Sequence, residues 1–273
     1  MRTLYIDCFS GISGDMLLGA LIDCGADIEK LKMQLAKLGL SHEFKLHIKK
    51  VNKKGIVATK CNVLLSQSEA VKETVLQPAN HVNSDTTHEH IHHQLEHHHT
   101  HHSHEHRSYS SIVKLIKEAE LGADIEETAI SIFRKIGEAE ARIHGVPVED
   151  VHFHEVGAVD SIVDIVGISI LLHDINVERI YSSSVPVGSG KIHIDHGIYP
   201  VPAPATLELL VGIPITESNV KGELTTPTGA GVLAAVCNHF GPIPSMTIKS
   251  VGYGAGTKDF PNHPNVLRVI LGE

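Results

Sequence analysis

Apolar positions follow two periods along this chain, and the places where the period changes mark its elements. TLYIDC (3–8) is a short apolar run, read as a buried strand, and FSGISGD turns the chain after it. MLLGALIDCG (16–25) reads as a helix closed by Gly25, a residue suited to the C-cap. Ile28, Leu31, Leu35 and Leu38 then keep helical spacing. Phe44, Leu46 and Ile48 alternate with polar residues. IVATKCNVLL (56–65) alternates again after the turn NKKG, which predicts a β-hairpin.

Apolar periodicity stops over 67–107, where the chain is polar and then His-rich; no core-forming pattern survives, so a disordered, mobile insertion is expected. Order resumes at SYSSIVKLIKEAELG. ADIEETAISIFRKIGEAEARIHG (123–145) is a long amphipathic helix with Gly145 and Pro147 as its stop. VEDVHFHEVG (148–157) is expected to be a short strand and turn. AVDSIVDIVGISILLHDI (158–175) is a helix apolar on most faces and therefore central. ERIYSSSVPVGSG, KIHIDHGIYPV and PITES read as strands, and APATLELLVG as a helix. GELTTPTGAGVLAAVCNHFG is a polar loop feeding a helix. SMTIKSVGYGAG and NVLRVILGE are strands around a Gly-rich loop. Strands and helices interleave, so the class is α/β: a mixed sheet packed by helices. Residues 1–66 supply a strand–loop–helix and hairpin, and 108–273 an α/β remainder packed with them as one domain.

Composition narrows the partners. Aromatics are 4% and Trp is absent, so the core is aliphatic and base-stacking platforms are not expected. The formal charge is −9, with no Lys/Arg patch to meet a phosphate backbone, so nucleic acid is excluded. Partial protonation of the 22 histidines adds roughly +5 at pH 7. Cys8, Cys24, Cys61 and Cys237 form no CxxC pair, which suits reduced thiols in the cytoplasm. The start, MRTLYIDCFSG, is no signal peptide, because Asp7 breaks its apolar run. The longest apolar stretch carries Asp164 and Asp174, so no membrane span is expected.

Five segments carry ligand chemistry. In DCFSGISGD, a Ser/Gly loop (Ser10, Gly11, Ser13, Gly14) opens a helix and suits an anion. Asp7 and Asp15 beside it suit a bridging divalent cation; Asp15 as a first-turn helix charge and Ser13 as a cap explain them too. In HFHEVGAVDSIVD, His152 and His154 share a strand face, Glu155 is a candidate base, and Asp160 and Asp164 share a helix face. Asp164 sits among Ile and Val, and a buried carboxylate needs a cation, a metal or donors, a structural Lys or Arg included. In KIHIDHG, His193 and Asp195 share a face and suit a transition metal, or a solvated edge. Thr225, Thr226 and Thr228 cap or bind phosphate at a helix start, and Lys258 follows three glycines. Last, HEHIHHQLEHHHTHHSHEH contains His88, His90, His92, His93, His97, His98, His99, His101, His102, His104 and His106. A flexible tract concentrates Ni²⁺ or its neighbours without fixed geometry; a neutral low-complexity insertion is the alternative.

DCFSGISGDMLLGAL, HFHEVGAVDSIVDIVG, PVPAPATLELL, GELTTPTGA and GYGAGTKDFPNHPNVLRV, in this order, resemble the nickel-insertion protein family of the lactate racemase pathway. That resemblance implies metallation of pyridinium-3,5-bisthiocarboxylic acid mononucleotide, with Ni²⁺ bound to two sulfurs and one ring carbon. It implies CTP hydrolysis with Mg²⁺ or Mn²⁺ through a C-terminal domain beyond VILGE, so this chain looks like the N-terminal part. Apo lactate racemase and a second copy of the chain are expected partners. On that basis the tract collects nickel, and His152, His154, His193 and Asp195 hold it transiently. Asp7, Asp15, Asp160 and Asp164 are further metal candidates. Glu155, or else His154, takes the ring proton. The SGISGD loop, Thr225, Thr226, Thr228 and Lys258 cradle substrate anions. The rival readings are a nickel storage chaperone without chemistry, a metal-dependent phosphohydrolase, and a module that only positions substrate. Deleting 81–107 is expected to abolish high-stoichiometry Ni²⁺ binding in equilibrium dialysis, while insertion at saturating Ni²⁺ persists. Loss of both would make the tract the reaction site.

Overall fold

The computed structural model describes residues 1–66, 107–153, 156–194 and 197–273. The expected His-rich insertion lies outside the described residues, apart from Arg107, whose guanidinium donates to the Glu43 carboxylate at 3.1 Å. In chain order the described elements are β1 (Thr3–Asp7), α1 (Gly14–Asp23), α2 (Ile28–Ala36), β2 (Phe44–Lys53), β3 (Ile56–Leu65), α3 (Tyr109–Glu118) and α4 (Ala123–His144). There follow α5 (Val159–Asp174), β4 (Arg179–Ser182), β5 (Val185–Pro186), β6 (Gly188–Ser189), β7 (Lys191–Ile194), β8 (Gly197–Pro200) and α6 (Pro204–Leu209). The last are β9 (Ile215–Thr216), β10 (Gly222–Glu223), α7 (Pro227–Val236), β11 (His239–Phe240), β12 (Ile248–Ala255) and β13 (Val266–Gly272).

Seven strands form one mixed sheet in the order β11-β4-β1-β13-β12-β3-β2. The alternating runs at 44–53 and 56–65 pair as the expected antiparallel hairpin, Phe44 opposite Leu65 and Lys53 opposite Ile56. β1 runs parallel to β4 and antiparallel to β13, and β12 joins the hairpin by a parallel bridge from Gly254 to Thr59. Helices cover the sheet, which makes the class α/β as their interleaving predicts.

α1 lies across β12, β13 and β3, and α5 packs on its other side. α5 in turn meets α2 and α4. Its all-round apolar surface follows from this, since Ile162, Val163, Ile165, Val166, Ile168 and Ile170 are all buried. α1 can approach the sheet closely because glycines line the contact. A Cβ at Gly254 would collide with the Met16 carbonyl oxygen, one at Gly252 with that of Ala20, and one at Gly19 with that of Thr59. Gly252 and Gly254, which the sequence places around an anion-binding loop, therefore sit on β12 and serve helix packing.

One expected strand does not form. Val148–Asp150 is a 3₁₀ turn, and His152 makes only an isolated bridge to Ser108. Tyr109 N–H donates to Val151 O and Phe153 N–H to Arg107 O, but Phe153 is then drawn into the core against Phe133, centroids 6.2 Å apart.

A Cβ at Gly254 has no flexible neighbour to displace, so Gly254→Ala is expected to lower stability by about 1–3 kcal/mol. Urea denaturation of the two proteins checks this.

Candidate functional site

The loop after β1 is zipped to the loop before α7. Ile12 N–H donates to Leu224 O at 3.1 Å, and Thr226 N–H to Ile12 O at 3.1 Å. Gly11 has φ +84°, and a Cβ there would strike the Leu224 carbonyl. This pairing sets the N-terminus of α1 beside that of α7. α5 closes a third side, because Gly14 leaves room for the Asp164 carboxylate where a Cβ would stand.

Between these three helices lies an open cleft of about 420 Å³. α1 contributes Ser13, Gly14 and Asp15, α5 contributes Asp160, Ser161 and Asp164, and α7 contributes Pro227 and Thr228, with its cap Thr226. Asn62 of β3, Glu223 of β10 and Thr257 beyond β12 complete the polar wall, and Val156 lies beside them. Residues from four sequence-distant motifs thus share one cavity.

Charge decides what the cleft can hold. Asp15 accepts from Ser13 Oγ and from Met16 N–H (2.9 Å) with one oxygen, and pairs with the Lys60 ammonium through the other. Lys60 also donates to Thr257 Oγ1 at 2.7 Å, and its side chain is 7% exposed. Asp160 lies in the first turn of α5 and accepts from Ser161 N–H at 2.9 Å. Asp164 has no such provision: its Oδ1 is sealed from solvent and finds no hydrogen-bond donor among the described residues. Burial first, then the charges of Asp15 and Asp160, push its carboxyl well above the usual carboxylate range, and Lys60 only partly opposes them. An unsatisfied, sealed oxygen on a residue that lines a cleft calls for a physical explanation, and a cation or donor from outside is one.

Other candidates fall elsewhere. Asp7 is separate from Asp15; its carboxylate takes the Arg268 guanidinium, with Nε at 2.9 Å. Ser10 is fully buried, donates to Pro264 O at 2.5 Å and meets His263 Nε2 at 2.8 Å, so it fastens the loop to the strand entry. Thr225 is likewise buried and donates to Pro186 O at 2.8 Å. Thr226 is the helix cap foreseen among the threonines, accepting from Gly229 N–H at 3.2 Å. Ser13 stands at the N-cap position of α1 but makes no side-chain cap. Lys258 reaches the Glu223 carbonyl at 3.2 Å and so braces the wall from outside. His152 is exposed, and His193 is on the exposed face of β7, opposite Ile198. His154, Glu155, Asp195 and the tract histidines 88–106 lie outside the described residues.

Sequence reasoning missed Lys60, Asn62, Ser161, Glu223 and Thr257. Lys60 left one signal, a lysine between Thr59 and Cys61 in a strand segment buried on both faces. Among the described residues, no three His, Cys, Asp or Glu side chains gather as a metal-binding group. The thiols are poor ligands in this state, since burial pushes Cys8 and Cys61 up to about 12. No described helix is long and apolar enough to cross a membrane.

The chain belongs to the nickel insertion protein family, whose model matches residues 4–273. It is 50% identical over its full length to the pyridinium-3,5-bisthiocarboxylic acid mononucleotide nickel insertion protein of Geobacillus kaustophilus, covering 60% of that protein. It is 46% identical over 269 residues to the Staphylococcus epidermidis protein of that name, covering 98% of this chain and 59% of the relative. A putative nickel insertion protein of Citrifermentans bemidjiense is 45% identical over 273 residues, all of this chain and 62% of the relative. The chain therefore spans about three fifths of the length of these relatives. No solved structure matches it.

A raised Asp164 pKa fixes the sign of a pH effect. Between the unfolded value of about 3.9 and the higher folded value, the native state binds more protons, so stability falls as pH rises through that window. Asp164→Asn is expected to remove this fall and to raise stability at pH 7 by about 1–3 kcal/mol. Urea titrations at pH 4 and pH 7 in chelator-treated buffer check it.

Proposed function

We propose that the cleft is where pyridinium-3,5-bisthiocarboxylic acid mononucleotide receives nickel, with this chain supplying the insertion site and the remainder of the relatives' length supplying CTP chemistry with Mg²⁺ or Mn²⁺. The observation that carries this reading is the sealed Asp164 Oδ1, without a hydrogen-bond partner among the described residues, on a side chain that lines the cleft where the ends of α1 and α7 converge. The relatives' printed names support the substrate.

The parts fit the reaction's needs. The backbone N–H groups at Ser13–Asp15 and at Thr228 favour an anion, which suits the substrate phosphate or thiocarboxylates. Asp160 and Asp164 offer hard oxygen ligands to Ni²⁺ without thiolate, so the metal is held less firmly than by the sulfur–carbon–sulfur set that receives it. Nickel bonding to the ring carbon displaces a proton, and the electron pair of that C–H bond becomes the Ni–C bond. The proton passes to Glu155, or to His154, in the segment between Phe153 and the cleft residue Val156. The tract 88–106 raises the local Ni²⁺ concentration in the cytoplasm, and lactate racemase takes the finished cofactor.

Asp164→Asn and Glu155→Gln, each assayed with the C-terminal part present, are expected to cut nickel insertion by about 100-fold or more. The readout is the absorbance of the metallated nucleotide and activation of apo lactate racemase. Full insertion by both variants at saturating Ni²⁺ would sink the assignment, and phosphate release from simple esters without nickel would favour a phosphohydrolase.

A further inference from the structure

The sheet has a second face that the cleft does not use. α1 and α5 meet the sheet from one side, and Gly252 and Gly254 of β12 point at α1. Side chains alternate along a strand, so Val251 and Tyr253 point the other way. The same split holds on β1 and β13. Leu4, Ile6, Leu267, Val269 and Leu271 belong to the main core, which leaves Tyr5, Arg268 and Ile270 on the second face. The register lines these up, with Ile270 opposite both Tyr5 and Val251. Ala58, Ala255 and Val266 form a small apolar cluster apart from the main core, and Tyr253 packs against it. At one end of this face, large aliphatic side chains are left to water. β12 carries a bulge between Ile248 and Ser250, so Ile248 stands opposite Gly272 and shares the face of Val251. Ile248 is 53% exposed and Val251 38%. The loop from β11 to β12 crosses the same face: Tyr5 Oη donates to Gly241 O at 3.0 Å, and Met246 Sδ lies where a Cβ on Gly272 would stand. Ile243 is on the loop between those anchors and is 45% exposed. Exposed aliphatics beside tyrosines and an arginine have the composition of an interface centre.

The position of Glu273 points to what covers them. Its backbone exchanges two hydrogen bonds with Thr247, at 2.7 and 3.0 Å, one residue before Ile248. β13 starts opposite Ala255, at the end of the sheet where the cleft residue Thr257 stands, and runs away from it for about 20 Å. The chain covers 60% of the Geobacillus kaustophilus relative. In a protein of that length, the polypeptide beyond position 273 starts against the exposed aliphatics. It reaches the cleft end of the sheet only by turning back. A segment tethered there meets the face at high effective concentration, so a modest apolar contact is enough to dock it. A second copy of the chain has no such tether. We propose that the second face of the sheet, around Ile243, Ile248 and Val251, is the docking surface for the C-terminal part of the relatives' length, which folds back over it toward the cleft. The proposal holds whether or not the cleft is the insertion site.

Thiol labelling reads the coverage directly. The four native cysteines are buried or half-buried, and the parent gives their background rate. Ile248→Cys is made in the 273-residue chain and in the same chain continued after Glu273 by the C-terminal part of the Geobacillus kaustophilus relative. The new thiol is expected to react with a maleimide about tenfold or more slowly in the extended protein, as for a face open less than about a tenth of the time. Val211→Cys, at a position 71% exposed just beyond α6, is expected to react equally in both. Adding Val251→Glu to the extended Ile248→Cys protein is expected to restore fast labelling, because a carboxylate would have to be buried in the contact. Equal labelling of Ile248→Cys in the two proteins, slowing that Val251→Glu leaves in place, or equal slowing at Val211→Cys overturns the proposal. Slow labelling in the 273-residue chain that speeds up on dilution also overturns it, and makes the face a contact between copies of the chain. Nickel insertion is not the readout here, so Asp164→Asn decides the cleft and the labelling decides the face.

Discussion

Helix α1 is held from two sides with no space for side-chain carbon at either contact. Gly19, Gly252 and Gly254 let it settle on β3 and β12, and Gly14 lets α5 bring the Asp164 carboxylate against its first turn. The position of α1 is consequently set by backbone contact, and interiors packed this closely transmit any displacement instead of absorbing it. Everything at the cleft follows from that placement. The N-terminus of α1 meets that of α7 because Ile12 bonds to the 224–226 segment. Asp15 meets Lys60 because β3 runs beneath the same helix. Asp23, at the other end of α1, takes Thr59 Oγ1 at 2.9 Å and Tyr253 N–H at 2.8 Å, together with the Lys50 ammonium. One helix thus carries an acidic group at each end. The C-terminal one is fully satisfied, with its carboxyl held below its usual value against the pull of burial.

That contrast separates structure from function more clearly than residue type does. Asp7, Asp23 and Asp174 are carboxylates with cationic partners at short range: Arg268, Lys50 and Lys30. They behave as fasteners between elements. Asp164 has less: its Oδ1 finds no hydrogen-bond donor among the described residues, and the charges of Asp15 and Asp160 act on it with the same sign. A fold gains nothing from such a group, and an asparagine or leucine would sit there at lower cost. The expense fits the proposed function, in which a bound ligand completes the site, since perturbed groups gather where chemistry is done.

Much of this was legible in the sequence. Alternation at 44–65 revealed the hairpin, the apolar run at 158–175 revealed the buried helix, and Gly145 with Pro147 revealed the end of α4. What escaped was short or nonlocal. β10 and β11 are two residues each, too brief for any period to register. The expected strand at 152 is reduced, among the described residues, to an isolated bridge beside the buried Phe153, a tertiary contact that local pattern does not encode. Asp7 and Asp15 looked like a pair because they are close in sequence, yet a strand end and a helix start send them to different cations, Arg268 and Lys60. Lys60 itself was invisible for the complementary reason. Its partners, Asp15 and Thr257, are 45 and 197 residues away, and only the sheet brings them together. By contrast, Asp164 could be singled out beforehand, since a carboxylate in an apolar helix needs a cation, a metal or hydrogen-bond donors wherever the helix packs.

The same reasoning sets the relation between the histidine tract and the cleft. An imidazole-rich stretch of sequence offers many equivalent ligands that distinguish poorly among ions, so in the proposed function it supplies metal and does not place a bond. The cleft, with its aspartate oxygens, helix ends and one buried lysine, offers few metal ligands but holds its groups on rigid elements. Metal insertion needs both properties, and they conflict in one site: ligands tight enough to gather a scarce ion would retain it against the substrate. The proposed function divides the work between a segment that accumulates nickel and a separate cleft that holds it briefly, which removes the conflict. Weak resident affinity then becomes a requirement of the cleft, and among the described residues its carboxylates form no closed metal-binding group that would hold the ion against the substrate.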